Sequence, residues 1–193
     1  MNEVVKAYIT IKEMLVDRGV NIDLLSTVSD TELNIMSKVN KIFAIQVNEK
    51  TKIVYYTNQK FKINDLKKYL VDDEHVIMVF KEKINNLNIK NLKEQTNVTI
   101  EIFMMKELQY NISQHVLVPK HEVLHENAQI ESILNIYQLK KNQLPIILKT
   151  DPMARYLDVK AGEVVKITRK SPSAGEAILY RYCVWLNKIC LLN

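Results

Sequence analysis

The first half of the chain alternates between helical and extended hydrophobic patterns. Near its start, apolar side chains recur at the 3.6-residue period of a helix, at Val4, Tyr8, Ile11 and Leu15. This pattern predicts a helix over residues 4–18 that ends at Gly19. Ser29, followed three residues later by Glu32, has the spacing of a capping box and predicts the start of a second helix.

Four short apolar runs in the same half predict strands, and they lie at 42–47, 53–56, 76–80 and 98–103. The polar residues 48–51 between the first two runs predict a hairpin. A helix over 65–71 is expected between the second and third runs, with Asn64 as its cap. After the third run, residues 81–90 predict a polar connection that leads into a short helix.

The second half predicts the order strand, helix, strand, helix, strand, strand, which gives a small sheet with helices on one face. The predicted strands lie at 110–118, 144–148, 164–168 and 177–184. Asn127 is expected to cap the longer helix, with Lys140 and Lys141 at its carboxyl end. Asp151 and Pro152 predict the start of the shorter helix, because proline suits the first helical position.

Composition places the chain among globular proteins and excludes several classes. Apolar residues are 47% of the 193 residues and charged residues 25%, which is enough apolar content to build a core. Two cysteines are too few for a disulfide scaffold. No apolar run is long enough to span a bilayer, so no membrane partner is expected.

Lysine dominates the positive charge of the chain. The net charge is +5; residues 38–68 hold eight lysines against two acids, and residues 81–93 hold four lysines against one acid. Such an excess can attract nucleic acid, although a solvated lysine face is the simpler interpretation. Tyr55 and Tyr56 can stack on bases, but aromatic residues in a strand more often belong to the core.

Two sets of residues are candidates for catalysis or metal binding. The acidic residues 72–74 precede a predicted strand and Lys81 follows it, which suggests a metal-dependent nuclease. A solvated turn is favoured, because the Asp-Glu-x-Lys spacing on adjacent strands that such a nuclease needs is absent. His121 and His125 are four residues apart, with His115 nearby, but structural histidines are favoured over a metal site. We therefore predict no catalytic residues, no metal and no cofactor.

An ordered set of segments over some 70 residues resembles a known family. The segments are Pro119-Lys120-His121, Gln143-Leu144-Pro145, Asp151-Pro152-Met153-Ala154-Arg155-Tyr156, Gly162-Glu163-Val164-Val165-Lys166-Ile167, Ser171-Pro172-Ser173-Ala174-Gly175 and Tyr180-Arg181. They resemble the C-terminal domain of the fifth subunit of eukaryotic RNA polymerases, which is homologous to a shorter subunit of the archaeal RNA polymerase. Asp17-Arg18-Gly19 and the segments 76–80 and 98–110 resemble the additional N-terminal domain of the eukaryotic form, so the likeness covers residues 1–184.

The resemblance implies a two-domain protein of the α/β (α+β) class. Residues 1–107 would form a nuclease-like α/β jaw domain beside downstream duplex DNA. Residues 108–184 would form a small two-layer domain that docks on the largest polymerase subunit, followed by a tail extension at 185–193. The implied function is that of a non-catalytic subunit of a multisubunit DNA-directed RNA polymerase, with other polymerase subunits as partners and no small-molecule substrate.

The resemblance also assigns residues to the two interfaces. The family contacts DNA through the loop after the strand at 76–80, which implies DNA-proximal roles for Lys81, Lys83, Asn85, Asn86 and Lys90. The usual Thr-Pro-Ser-Ala element of that loop is absent here. The signature and interface residues implied for the second domain are Pro119, His121, Leu144, Pro145, Asp151, Pro152, Arg155, Tyr156, Gly162 and Arg181.

Two other functions and two sources stay open at this point. The lysine excess is compatible with a free-standing nucleic-acid-binding adaptor, and the nuclease-like fold with a metal-dependent nuclease. The divergent first half and the bias toward Lys, Asn and Ile are compatible with a copy encoded by a large DNA virus or with a cellular gene. The expected location is the nucleus for a cellular protein, and the cytoplasmic virus factory and virion for a viral one.

Overall fold

The protein folds into two units, each built around its own sheet. The computed structural model describes residues 2–25, 28–58, 61–70, 75–94, 96, 98–171, 173 and 175–185. The chain divides into Met1–Asn111 and Ile112–Asn193, and each unit has a four-stranded sheet among its described residues. The predicted mixed α+β class is confirmed. The acidic residues 72–74 and the tail after Trp185 lie outside the described residues.

The first unit has a mixed sheet with the order β1-β2-β3-β4. Its elements are α1 (Glu3–Asp17), α2 (Asp30–Val39), β1 (Ile42–Gln46), β2 (Thr51–Tyr56), α3 (Ile63–Lys67), β3 (His75–Phe80), α4 (Asn86–Glu94) and β4 (Thr99–Met104). β1 and β2 form an antiparallel pair, whereas β2, β3 and β4 are parallel. The carboxyl ends of these three strands therefore lie at the same edge of the sheet.

Local chemistry explains the boundaries that the sequence predicted well. α1 is followed by Gly19, whose φ of +72° is a left-handed conformation that glycine adopts without strain. Ser29 and Glu32 form the predicted capping box at the start of α2. In the predicted hairpin, the Asn48 side-chain oxygen accepts hydrogen bonds from the backbone N–H groups of Lys50 and Thr51, at 3.0 and 2.8 Å.

Two predicted boundaries in the first unit are wrong. The helix expected over 65–71 is α3, which begins earlier and has no side-chain cap, so Asn64 lies inside it. The Tyr56 hydroxyl fixes this earlier start by accepting a hydrogen bond from the Lys62 N–H at 3.0 Å. α4 begins within the connection expected over 81–90, because buried Ile84 anchors the chain on the core just before the helix.

The core of the first unit lies against its sheet and includes both strand tyrosines. Tyr55 and Tyr56 are 0% and 2% exposed, so the prediction that they belong to the core is confirmed. The Tyr55 ring stacks on Phe43 with centroids 4.9 Å apart. The Tyr55 hydroxyl is buried and has no hydrogen-bond partner among the described residues, and burial raises its pKa. A neutral hydroxyl that is buried in this way destabilises the folded state.

Changing Tyr55 to Phe is expected to raise the free energy of unfolding by about 1 kcal/mol, because the unpaired hydroxyl is removed while the stacked ring stays. Urea unfolding measures the change. The matched control is Tyr8→Phe, which removes a hydroxyl that donates to the Leu25 carbonyl and is expected to cost about 1 kcal/mol. A destabilised Tyr55→Phe variant would show that the hydroxyl has a partner in solution.

The second unit has the strand and helix order that the sequence predicted. Its elements are β5 (Lys120–Leu124), α5 (Asn127–Tyr137), β6 (Ile146–Leu148), α6 (Pro152–Tyr156), β7 (Val164–Ser171) and β8 (Gly175–Val184). The strands lie in the order β5-β7-β8-β6. β6 is parallel to β8, whereas β5 pairs with β7 and β7 with β8 in antiparallel register.

Three predictions for the second unit are corrected. The strand expected at 110–118 does not form: the segment contains the short 3₁₀ helix Ile112–Gln114, and the first strand is β5. Val116 is 96% exposed, so this apolar run does not pack against the sheet. Asn127 is the first residue of α5 and not its cap, and the helix ends at Tyr137, followed by Gln138 with a φ of +52°. Lys140 and Lys141 consequently lie beyond its last turn.

None of the described helices has the length and hydrophobicity that a membrane crossing requires.

Candidate nucleic-acid and subunit interfaces

The carboxyl edge of the first sheet presents part of the predicted DNA-proximal segment. In the register of the sheet, Phe80 at the end of β3 lies beside Tyr56 at the end of β2. Lys81 follows directly and donates its backbone N–H to the Tyr56 carbonyl at 3.1 Å. Lys81 and Lys83 are exposed, and no ion pair joins either of them to another described residue. Both ammonium groups are therefore accessible to an anionic partner.

The other residues of that segment belong to α4 or its start. The Asn85 side-chain oxygen accepts from the Leu87 N–H at 3.2 Å, which is the role of an N-cap. Asn86 begins the helix, and its side chain lies outside what the structure describes. The Lys90 ammonium lies 3.7 Å from the Glu94 carboxylate, and both side chains are exposed, so this pair is weak.

A buried ionic cluster, which the sequence did not predict, joins three elements of the first unit. The Arg18 guanidinium donates to both carboxylate oxygens of Glu101, at 2.9 and 2.8 Å. The His75 Nε2 lies 2.6 Å from the same carboxylate and acts as donor, because an ionised carboxylate only accepts. The side chains of Arg18, Glu101 and His75 are 6%, 14% and 23% exposed. The cluster therefore fixes the end of α1 to β3 and β4.

The electrostatics of the cluster favour an ionised Glu101. Burial by itself raises the pKa of this carboxyl, but hydrogen bonds from His75 and Arg18 and their Coulomb attraction outweigh burial and lower the pKa to about 2. All three side chains are committed to one another, so the arrangement serves as a structural anchor. One sequence signal was present, since Glu101 is the single acid in the apolar run Ile100-Glu101-Ile102-Phe103.

The predicted histidine pair does not form a metal cluster in the described part of the chain. The His121 Nδ1 lies 2.7 Å from the carbonyl oxygen of Pro119, two residues earlier, so the ring is held by its own backbone. Over the same described residues, His, Cys, Asp and Glu side chains do not gather in a group of three that could hold a metal ion.

α6 begins at the predicted cap, Asp151, and carries three further signature residues, Pro152, Arg155 and Tyr156. The Asp151 carboxylate accepts from the N–H groups of Met153 and Ala154, at 2.9 and 3.4 Å, and Pro152 takes the first helical position. Arg155 is half-buried and Tyr156 is buried in the second unit. The helix therefore holds its signature residues at the edge of the core.

Changing Asp151 to Ala is expected to lower the free energy of unfolding by about 1 kcal/mol, because the first N–H groups of α6 lose their acceptor. Asp151→Asn is the matched control, because its amide oxygen can still accept, and it should retain most of the stability. Both are compared with the wild type by urea unfolding. An alanine variant as stable as the asparagine variant would mean that the cap contributes nothing.

β6 is an edge strand of the second sheet, and three signature residues surround its start. Leu144 is buried, while Pro145 is exposed directly before the strand, where its missing N–H costs no ladder bond. The Pro145 carbonyl accepts from the Tyr182 N–H at 2.8 Å. The Arg181 Nη1 donates to the Ile146 carbonyl at 2.9 Å. The register of this edge is consequently fixed by β8.

The remaining signature residue, Gly162, forms the turn into β7 with a φ of +100°. Its N–H donates to the Cys183 carbonyl at 2.9 Å, so the turn is attached to the end of β8. Cys183 is fully buried in the core, and burial raises the pKa of its thiol, which describes an unreactive packing residue.

Apolar side chains remain exposed on the second unit. All residues of α5 are described, and only Ile130 is buried. Ile136 is 76% exposed and Tyr137 is 54% exposed, and the Tyr137 ring lies 6.2 Å from that of Tyr180. Ile178, which is 46% exposed, lies two residues before Tyr180 on the same face of β8. We refer to Ile136, Tyr137, Ile178 and Tyr180 as the α5–β8 surface.

Comparison with known proteins agrees with the resemblance seen in the sequence. The family model described as RNA polymerase Rpb5, C-terminal domain, matches residues 110–183. The chain is 31% identical over 195 residues to the DNA-directed RNA polymerases I, II, and III subunit rpabc1 of Dictyostelium discoideum, covering 95% of this chain and 98% of the relative. It is 44% identical over 79 residues to the DNA-directed RNA polymerase subunit Rpo5 of Nitrosopumilus maritimus, covering 41% of this chain and 94% of that relative. The chain therefore belongs to the RNA polymerase Rpb5 family.

Proposed function

We propose that this chain is a non-catalytic subunit of a multisubunit DNA-directed RNA polymerase. Its second unit docks on the largest subunit, and its first unit forms the lower jaw beside the downstream duplex. The observation that carries the proposal is the match to the rpabc1 relative over 95% of the chain, which spans both units. Nucleotidyl transfer and its Mg²⁺ are assigned to the large subunits of the assembly.

The α5–β8 surface supports the docking role of the second unit. Large apolar side chains are exposed on both α5 and β8, and exposed apolar surface of this kind is typical of a protein interface. Tyr137 and Tyr180 add the aromatic area that interface cores favour. This surface is the proposed contact with the largest subunit.

The exposed lysines of the first unit support the DNA-facing role. Lys81 and Lys83 lie at the carboxyl edge of the sheet and can contact phosphates without reading bases. Phosphate contacts do not depend on the base sequence, so lysines of this kind can guide a duplex as it moves past the protein. The protein would work in the nucleus if the gene is cellular, and in the virus factory and virion if it is viral.

Purification of the tagged full-length chain from its natural cells tests the proposal. The large polymerase subunits are expected to co-purify in fixed stoichiometry, and the eluate is expected to make RNA on a duplex template. A chain that co-purifies with no polymerase subunit, and binds duplex DNA alone with sub-micromolar affinity at physiological salt, would be a free-standing adaptor and would overturn the proposal.

A further inference from the structure

We propose that the DNA-facing surface of the first unit is a cluster of three lysines, Lys41, Lys62 and Lys81, which flank three separate elements. The proposal rests on the polymerase function proposed above and deepens it by naming the contact surface. Of these residues, the sequence assigned only Lys81 to the DNA. Lys41 precedes β1, Lys62 precedes α3, and Lys81 follows β3.

Hydrogen bonds hold the three lysines around one two-residue segment at the end of β2. The Tyr56 carbonyl accepts from the Lys81 N–H at 3.1 Å, and the Tyr56 hydroxyl accepts from the Lys62 N–H at 3.0 Å. The next residue, Thr57, donates both its N–H and its hydroxyl to the Lys41 carbonyl, at 2.9 and 2.8 Å. Residues that are far apart in sequence are thus gathered by backbone contacts that leave the side chains free to move.

The segment that organises the cluster is itself rigid. Tyr56 is 2% exposed, and its ring packs against Phe61 and Phe80 with centroids 5.8 and 5.5 Å apart. β2 lies between β1 and β3, so about 10 Å separates the backbone near Lys41 from that near Lys81, at two strand spacings. This span equals about three base-pair steps along a duplex, which suits contacts to phosphates of one strand.

The charge of the cluster is available for a partner. All three lysines are exposed, and no ion pair joins any of them to another described residue. Two acids lie close to these lysines in sequence, Glu82 beside Lys81 and Asp65 three residues after Lys62. Three lysines against two acids leave the local net charge positive. Lysine is a point charge on a flexible stem, which suits phosphate attraction better than fixed recognition of bases.

The same edge favours duplex over single-stranded nucleic acid. Binding to single strands relies on exposed aromatic rings on which successive bases stack. Tyr56 and Phe80 at this edge are buried, and Phe61 packs against both. The half-buried Tyr69 donates its hydroxyl to the Ile42 carbonyl, and the Lys68 ammonium lies over its ring, 4.9 Å from the centroid. The cluster therefore offers charge without a stacking platform, which is the chemistry of a backbone contact.

The test compares two double variants of the full-length chain with the wild type. Lys41→Gln/Lys62→Gln removes two charges from the cluster. Lys50→Gln/Lys52→Gln removes two charges from the opposite end of β2, roughly 17 Å away along the strand. Fluorescence anisotropy follows binding to a duplex of about 30 base pairs between about 20 and 150 mM salt, where phosphate contacts dominate the affinity.

In the cluster variant, the plot of log affinity against log salt is expected to fall less steeply, with a slope about two smaller in magnitude. Its affinity at about 0.1 M salt is expected to be one to two orders of magnitude weaker than that of the wild type. The control variant should bind like the wild type. Cluster and control variants that bind equally would overturn the proposal, as would a wild-type chain that prefers a single strand of the same length. Co-purification from cells distinguishes a failure of this proposal from a failure of the proposed polymerase function. If the cluster variant still co-purifies with the polymerase subunits, the proposed function stands whatever the DNA-binding result. If the wild-type chain co-purifies with no polymerase subunit, the proposed function itself is overturned.

Discussion

Changing Glu101 to Ala is expected to lower the free energy of unfolding by about 3–5 kcal/mol, the range for a buried pair that loses one partner. Arg18 cannot release its proton, and its side chain is only 6% exposed. Without the carboxylate, its charge stays buried with its main acceptor removed. His75 also loses the acceptor 2.6 Å from its Nε2. Urea unfolding of wild type and variant measures the difference.

Glu94→Gln is the matched control, because this carboxylate lies in the same unit but pairs with Lys90 on an exposed helix face. Its loss is expected to cost less than about 0.5 kcal/mol. Equal stability of the two variants would show that the Arg18–Glu101–His75 cluster does not hold α1 to the sheet.

The same cluster predicts how stability depends on pH. The pKa of Glu101 is about 2 in the folded protein and is expected near the ordinary 4.5 in the unfolded chain, so the unfolded state binds more protons between these values. The stabilisation, about 3 kcal/mol, is fully present above pH 4.5 and is lost as the pH falls toward 2. The difference in stability between wild type and Glu101→Gln should shrink as urea unfolding is repeated from pH 6 to pH 3. A constant difference would contradict the low pKa.

Changing Ile136 to Glu is expected to reduce recovery of the polymerase subunits with the tagged chain by at least tenfold. Ile136 is 76% exposed, so its loss leaves the fold of the second unit unchanged. In the assembled polymerase, the proposed contact would bury a carboxylate without a partner, which costs more than the roughly 1.4 kcal/mol that separates tenfold steps in affinity. Quantitative mass spectrometry of the purified material measures the recovery.

Asn135→Glu controls for the added charge, because Asn135 is an exposed residue of the same helix and is polar already. It should co-purify with polymerase subunits as the wild type does. If Ile136→Glu also assembles normally while its thermal unfolding is unchanged, the α5–β8 surface is not the docking face, and another face of the second unit carries the contact.

Several features that depend on neighbours in sequence were predicted correctly, although the caps expected at Asn64 and Asn127 were wrong. Ser29 with Glu32, Asp151 with Pro152, and Gly19 after the first helix act through caps and turns whose geometry spans a few residues. The order of elements in the second unit followed from the same signals. These interactions are local, so the residue types favour them before any tertiary contact forms.

Features that depend on tertiary packing were missed. Arg18 and Glu101 are 83 positions apart in sequence, and no local sequence pattern predicts that they are in contact. The run at 110–118 has the composition of a strand, but it finds no partner in the sheet and leaves Val116 exposed. Lys41, Lys62 and Lys81 lie near one another because each forms hydrogen bonds with Tyr56 or Thr57. Predicting this arrangement requires the register of the strands, which the sequence does not give.

We infer that this protein acts as part of a large transcribing assembly. The decisive experiment is gradient sedimentation of an extract from its natural cells, with the chain detected by antibody and each fraction assayed for RNA synthesis on duplex DNA. We expect the chain to sediment with the polymerase activity, together with the large subunits. A chain found wholly at the size of the free protein, in fractions apart from that activity, would contradict the claim.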